Sequence, residues 1–460
     1  MLLGLTAVLL AMLPVLGVLS NPLADKVDAA LSAGPTPGKL RLVENSGECE
    51  TTPGVYQASG YADLDKNNSL WSVELVCYYS SSGGIPPLLM LNARFWFFEA
   101  RENPETAPLT LWLQGGPGSS GLVGLYQEHG PCRINNDTTS VSYNPFSWNN
   151  VSNMIYLDQP IPAGFSQGSK SYNNSFSAAE DVWHVSFLQI LFDDHRFAQF
   201  MRNDFAIWTE SYGGHFGPAF SRHFLDQNAR IANGSLDAHP VNLKVLGIGD
   251  GLMDPLVQYE SYFTYAQYNP YFPTATNDTL ASAFQSWNET GGCRDQIVQC
   301  YDTLDPQICA TSQFNCVADI GNRLAGDRDQ DYILADFTDT YPPDITTYAN
   351  DTARKARIGA VGDFQEVNSG VLFEFQSEWM QNSRPTLESV VNDGVRTVLY
   401  TGDADYLLNY FGVEAMLGIM KTKYSSKWAE QEFKNFTVNG ESAGLYKNAG
   451  QLHYLRVFGA

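Results

Sequence analysis

Short, nearly continuous apolar runs closed by glycine-rich or polar turns recur along this chain at residues 109–114, 154–158, 205–209, 243–249 and 395–401. An apolar run of that length without alternation is the pattern of a strand buried on both faces. Between two of these runs, Val182, Val185, Leu188 and Phe192 fall three to four positions apart, which predicts a helix over 177–195 with one apolar face. Strands alternating with such helices imply a mostly parallel sheet covered on both sides. The stretch 254–384 breaks the rhythm with clustered cysteines and Tyr-Pro and Pro-Pro turns, so we expect an inserted cap there, with the core formed by 21–253 and 385–460.

Composition narrows the possible functions. The 460 residues are 44% hydrophobic and only 17% charged, enough apolar material for a large core rather than a disordered acidic chain. The formal net charge of -23 and the lack of any Lys/Arg cluster argue against binding nucleic acid. Residues 1–20 carry no charged side chain and end in small residues, the pattern of a secretory signal peptide, with a membrane anchor as the alternative because no Lys or Arg precedes the apolar run. No second apolar run reaches membrane-spanning length, so no span is expected once the signal is cleaved. Nine Asn-x-Ser/Thr sequons follow, at Asn67, Asn136, Asn150, Asn173, Asn233, Asn277, Asn288, Asn350 and Asn435, and suggest a glycosylated secreted or vacuolar protein. Seven cysteines are too few for a disulfide scaffold but fit an oxidised large enzyme. The gaps among Cys293, Cys300, Cys309 and Cys316 read the same in both directions, which suits a nested pair and matches no common zinc module.

Three segments carry candidate chemistry. In Thr209-Glu210-Ser211-Tyr212-Gly213-Gly214-His215, a serine follows an expected strand and precedes an expected helix. A serine on such a turn is lifted out of the sheet, and its neighbours must be small, so Ser211 is the candidate nucleophile. Taken alone the pattern also fits an ordinary glycine turn, because Thr209 stands where the usual elbow has its first glycine. In Gln114-Gly115-Gly116-Pro117-Gly118-Ser119-Ser120, consecutive glycines let backbone N–H groups converge on an anion. Gly116 N–H and Tyr212 N–H are the expected oxyanion donors. A phosphate loop would need a Lys-Ser/Thr that is missing here. The third segment, Gly402-Asp403-Ala404-Asp405-Tyr406, closes the last expected strand, where an acid that orients a histidine belongs.

Gln-Gly-Gly-Pro-Gly-Ser-Ser, Glu-Ser-Tyr-Gly-Gly-His and Gly-Asp-Ala-Asp-Tyr, in that order, resemble the serine carboxypeptidases of the α/β-hydrolase fold. Residues 125–131, 149–159 and 164–166 resemble the secreted fungal members. The resemblance implies an α/β-hydrolase with an inserted cap that needs no cofactor or metal and acts on the C-termini of peptides or proteins. It gives Ser211 the nucleophile's place, Asp405 that of the triad acid, and Asp403 a structural one. It implies that Glu128 and Glu210, with Gln114 and Gly115, face the substrate carboxylate. Carboxyl groups can hydrogen-bond another carboxylate only by sharing protons, so binding should favour acidic pH. It also implies the disulfides Cys293–Cys316 and Cys300–Cys309; if Cys77 belongs to an insert, six cysteines remain and Cys49 could pair with Cys132 as a third.

The chain departs from the family in three places. Gln114 stands where the family usually has Asn, and the added methylene is expected to shift the amide and reduce exopeptidase efficiency. The only histidine after Asp405 is His453, inside a strand-like segment; the catalytic His is absent and expected just beyond Ala460. His453 and His215 are the weaker substitutes for it. Residues 72–94, including Cys77, the residue that makes the cysteine count odd, interrupt a junction the family makes directly after Trp71, and we read them as translated intron, the alternative being a surface loop with a free thiol. Two further readings follow: a catalytically inactive secreted paralogue or truncated gene model, and an acyltransferase or esterase on the same fold.

Overall fold

A computed structural model describes residues 35–64, 91–183, 187–336 and 342–460; the expected signal peptide, Asn67, Trp71, Cys77, Val185 and most of the 72–94 insert lie outside them. Among the described residues Cys132–Ile134 and Val141–Tyr143 form a small two-stranded sheet, and the remaining strands form one eleven-stranded sheet. Its strands are β1 (Lys39–Glu44), β2 (Gln57–Leu64), β3 (Leu91–Phe98), β4 (Leu109–Leu113), β5 (Asn153–Leu157), β6 (Phe205–Glu210), β7 (Leu243–Gly249), β8 (Arg396–Gly402), β9 (Lys434–Val438), β10 (Glu441–Ala449) and β11 (Leu452–Val457). They lie in the order β1-β2-β3-β5-β4-β6-β7-β8-β11-β10-β9. The central strands β5, β4, β6, β7, β8 and β11 are parallel, and the two margins are antiparallel.

Every apolar run singled out in the sequence is one of the central strands. Along β4 the side chains alternate between two cores, as the pleat requires. Leu109, Leu111 and Leu113 enter a large cluster, and Trp112 enters another with Trp96, Tyr126 and Tyr156. Helices α1 (Ser175–Trp183), α2 (Phe187–Asp193) and α3 (Gly213–Ala232), with Arg384–Asn392 and Tyr410–Ile419, contribute to the first core. The single helix expected over 177–195 is met by α1 and α2, with Val182, Leu188 and Phe192 buried as its periodicity required.

The expected insert needs a boundary correction. Leu91 to Arg94 belong to β3, where Asn92, Ala93 and Arg94 pair in register with Asp63, Ala62 and Tyr61. The Arg94 guanidinium is buried and donates to the Ile358 carbonyl at 2.9 Å. Buried polar residues at 92 and 94 disguise this strand, because the apolar pattern begins only at Phe95.

The 254–384 region divides in two. Helices α4 (Pro255–Tyr268), α5 (Cys293–Thr303) and α6 (Pro306–Cys316) share an aromatic core around Tyr262, Tyr265 and Trp287. The disulfides Cys293–Cys316 and Cys300–Cys309 tie α5 to α6 in the nested order. Residues 345–364 instead pack against the sheet with Trp96 and Tyr126. Cys49–Cys132 is bonded beside them.

Candidate active site

β6 delivers its last residue, Glu210, to the C-terminal edge of the parallel strands, and Ser211 then turns with φ of 59°, in the left-handed region that a non-glycine residue rarely adopts. Ser211 N–H bonds the Gly249 carbonyl at 3.0 Å, and the Ser211 carbonyl accepts from Gly214 and Leu252 at 3.0 Å each. The turn is therefore fixed on both sides. A Cβ on Gly213 would lie 1.8 Å from the Thr209 hydroxyl, and one on Gly214 would lie 2.2 Å from the Leu252 carbonyl. Thr209 is accommodated because its hydroxyl donates inward to the Leu113 carbonyl at 2.7 Å.

The loop after β4 closes on this turn. A Cβ on Gly115 would fall 2.8 Å from both Ser211 Cβ and Tyr212 N, so only glycine permits the approach. Gly116 has φ of 101°. Among the described residues, neither Gly116 N–H nor Tyr212 N–H donates to a protein acceptor, which leaves two free donors beside Ser211.

The carboxyl groups gather at the same edge. Gln114 accepts at Oε1 from Trp112 Nε1 at 2.8 Å and Gly124 N at 3.1 Å, and its amide nitrogen reaches Glu128 Oε1 at 3.3 Å. Glu128 in turn hydrogen-bonds Glu210. Removal from water, then the neighbouring Glu210 charge, pushes Glu128 well above the usual carboxyl range. Burial, with Asp331 adding to it, raises Glu210 to about 7. On the other side, Asp405 is 7% exposed and accepts from Leu408 N–H at 2.9 Å. Burial and the charge of Asp250 raise its pKa well above the ordinary value. Asp403 is bound by the Tyr271 hydroxyl and by Gly459 N–H at 2.8 Å, in keeping with a structural place.

Among the described residues, no hydrogen bond joins His129, His215 or His453 to Ser211 or Asp405. β11 runs parallel to β8 with His453 opposite Val398 and Val457 opposite Gly402, so His453 sits four residues, about 13 Å, below the strand ends. His215 is 3% exposed and stacks on the Tyr212 ring at 4.8 Å, and burial lowers it to about 3. His129 stacks on Trp148 at 4.0 Å, binds the Tyr156 hydroxyl at 3.0 Å, and is likewise lowered to about 3 by burial. The end of β11 reaches the acid's loop, since Asp403 N–H bonds the Val457 carbonyl at 2.9 Å and Ala404 N–H bonds the Ala460 carbonyl at 2.8 Å.

Of the sequons, Asn136, Asn173, Asn233, Asn277, Asn288 and Asn435 are exposed. Asn150 and Asn350 are half-buried with both ends of the amide engaged, to Arg101 and Pro145 and to Phe364 respectively, which leaves them poorly placed to carry a glycan. Sequence reasoning missed Asp250, which follows β7 at the same edge and meets Asp405. Its signal was available as a carboxylate between Gly249 and Gly251, directly after an expected strand.

A serine on a left-handed strand-to-helix turn, facing two unpaired N–H groups at the C-terminal edge of a parallel sheet, defines a serine hydrolase of the α/β-hydrolase class. The sequence narrows this further, because the serine carboxypeptidase family matches residues 92–460. The chain belongs to that family. Carboxypeptidase S1 of Penicillium janthinellum is 35% identical over 425 residues, covering 91% of this chain and 93% of that protein. Carboxypeptidase Y of Schizosaccharomyces pombe is 32% identical over 449 residues, covering 92% of this chain and 40% of that protein. The crystal structure of KEX1(delta)p, a prohormone-processing carboxypeptidase from Saccharomyces cerevisiae, shares the fold with a TM-score of 0.66 at 19% identity, over 88% of this chain and 87% of that one. The chain is thus a serine-type carboxypeptidase by family, and the family acts on peptides. Among the described residues no helix is long and apolar enough to cross a membrane.

Proposed function

We propose that this protein releases C-terminal residues from peptides at acidic pH through an acyl-enzyme on Ser211, and that it works in a secreted or vacuolar setting with glycans on its exposed sequons. Ser211 Oγ attacks the last peptide carbonyl while its proton passes to a histidine, and the oxyanion accepts from Gly116 and Tyr212 N–H. The histidine hands the proton to the leaving amine, and water then releases the acyl group. Asp405 orients that histidine. The end of β11 lies against the acid's loop, where Ala404 N–H, of the residue before Asp405, bonds the Ala460 carbonyl at 2.8 Å.

The observation that carries the exopeptidase reading is the hydrogen-bonded chain Gln114, Glu128, Glu210 beside the free N–H pair. Two carboxyls that retain a proton can donate to the substrate's terminal carboxylate, with Gly115 closing the floor. Once pH rises through about 7, where Glu210 ionises, they repel it.

The test compares a peptide with its C-terminal amide at pH 5 and pH 8, using the natural full-length protein. The free acid is expected to be preferred at pH 5, with KM rising at pH 8 and kcat less affected. Ser211→Ala should lose a factor on the order of 10⁶ in kcat. Equal turnover of acid and amide would overturn the exopeptidase reading, and a preference for simple esters would favour the esterase or acyltransferase alternative.

A further inference from the structure

A cleft of about 770 Å³ opens where four segments meet: the start of α1, the first turns of α3, the turn joining α5 to α6, and residues 377–386. Neither Ser211 nor the glycines of the oxyanion loop line it. Its volume falls in the range of ligand-binding clefts, roughly 300–1,000 Å³. The ionisable groups on its walls are already engaged within the protein. Glu378 accepts from Ser175 N–H at 2.9 Å, from the Ser175 hydroxyl at 2.7 Å and from the Tyr212 hydroxyl at 2.7 Å. The Tyr301 hydroxyl donates to Asp254 at 2.7 Å, and burial keeps His215 neutral. What remains open is uncharged. Among the described residues the hydroxyls of Ser377 and Thr386 and the side-chain oxygen of Gln381 make no hydrogen bond with the protein, and His215 Nε2 is buried without a partner. Beside these groups stand apolar surfaces, the exposed ring of Phe176 and Pro218, Pro306 and Pro385. An ion would find no free counter-charge here. A sugar matches the mixture, because its C–H faces pack on aromatic and proline rings while its hydroxyl and acetamide groups pair with uncharged donors and acceptors.

A source of sugar stands on the rim. Asn173 is exposed, begins the sequon Asn173-Asn174-Ser175 and lines the cleft. Its Oδ1 accepts from Asn174 Nδ2 at 2.8 Å, while its own Nδ2, the atom that carries an N-linked sugar, donates to nothing among the described residues. The chain is pinned on both sides, since Tyr172 N–H bonds Glu374 at 3.0 Å and Ser175 N–H bonds Glu378. The attachment point is therefore fixed at the mouth of the cleft. Ser175 is 1% exposed, so the sequon can be read only before this region folds, and the sugar is present when the cleft forms. Resting on the glycosylated setting argued above, we propose that the first sugars on Asn173 lie in this cleft rather than in solvent, packed on Phe176 and hydrogen-bonded by Gln381, Ser377 and Thr386. The linkage is the ordinary one: Nδ2 gives up a proton and bonds C1 of N-acetylglucosamine as a lipid-linked diphosphate leaves. So placed, the sugar bridges the start of α1 to the segment carrying Glu378, the partner of the Tyr212 hydroxyl.

The test is site-by-site release of N-glycans from the protein secreted by a glycosylating host, digested with a peptide N-glycosidase before and after denaturation and read by glycopeptide mass spectrometry. Asn233, exposed at the end of α3, is the reference. In the folded protein Asn173 should lose its glycan about tenfold more slowly than Asn233, since the enzyme must wait for the sugar to leave the cleft. After denaturation the two sites should be released alike. Phe176→Ala combined with Gln381→Ala removes packing and an acceptor without touching the sequon or the elbow, and should bring Asn173 to the rate of Asn233. An empty Asn173 beside an occupied Asn233 would overturn the proposal, as would slow release that survives the double variant. Glycans missing from every sequon would remove this proposal and the glycosylated setting together, whereas equal release from occupied Asn173 and Asn233 in the folded protein sinks the docking alone.

Discussion

The protein withdraws carboxyl groups from water in two regions and neutralises them differently. Beside the Cys49–Cys132 disulfide, Glu48 receives Arg354 Nε at 2.7 Å, Arg357 Nη2 at 2.8 Å and the Tyr348 hydroxyl at 2.6 Å, and Glu50 receives Arg101 Nε at 2.9 Å. Burial would raise both groups, but for Glu48 these donors, and for Glu50 the hydrogen bonds from Thr52 and Asn149 together with Arg101, outweigh it and hold them below the ordinary value. At the strand ends, Glu128, Glu210, Asp250 and Asp405 meet one another instead, and all four are raised. The first region stays charged across the working pH range and acts as a fixed brace. The second is neutralised by protons, so its hydrogen bonds reverse with pH. A site that must recognise a carboxylate gains from the second solution, since a resident arginine would already be paired to the site's own acids.

The largest effect on this comparison should come from breaking the brace. Glu48→Gln leaves the Arg354 and Arg357 guanidiniums without their anion, and loss of one partner of a buried pair costs about 3 kcal/mol. Urea unfolding should show that loss, while kcat/KM at pH 5 stays near the wild-type value. A change below about 1 kcal/mol would mean the cluster behaves as an ordinary surface pair and the contrast fails.

A smaller effect follows from the sign of the shifts. Groups raised on folding bind more protons in the native state than in the unfolded chain, so their contribution is present at acidic pH and is lost as pH climbs through about 7 for Glu210 and about 8 for Asp250. Glu48 and Glu50, being lowered, act in the opposite direction, and their contribution is lost only as pH falls below the ordinary carboxyl range. Thermal unfolding should therefore show greatest stability near pH 5 and a fall of a few degrees by pH 8, with Glu210→Gln reducing that fall. A stability curve that rises between pH 5 and pH 8 would contradict the assignment of protonated carboxyls to the site.

What could be read from the sequence follows the same physics. The central strands were legible because burial on both faces demands unbroken apolar runs, as at 243–249. The margins were not. β9 is exposed along its length and β10 mixes Glu, Lys and Asn with apolar residues, so neither leaves such a run. β3 was cut short because Asn92 and Arg94 are buried by hydrogen bonding rather than by apolarity. The elbow was legible because close approach at Gly115, Gly213 and Gly214 tolerates no Cβ. The pairing of Glu128 with Glu210 came only through family resemblance, since residues 82 positions apart give no local signal. Asp250 was passed over because a carboxylate in a glycine turn usually reads as solvated, and only the sheet order brings β7 beside β8.

The smallest effect concerns Gln114, whose added methylene led us to expect a displaced amide. Its acceptor end is anchored by two donors, the Trp112 indole and Gly124 N–H, and it is the donor end that reaches Glu128 at a long 3.3 Å. The longer side chain therefore spans from the Trp112 side of the site to the carboxyl pair. A shorter amide cannot keep both ends. Gln114→Asn should leave either the indole or Glu128 without its partner, a loss of about 1 kcal/mol, or about fivefold in KM for a peptide acid at pH 5, with kcat unchanged. An indole hydrogen bond that persists while KM falls in the variant would show the opposite, that the methylene holds the amide too far from the substrate carboxylate and that the usual family residue suits this site better.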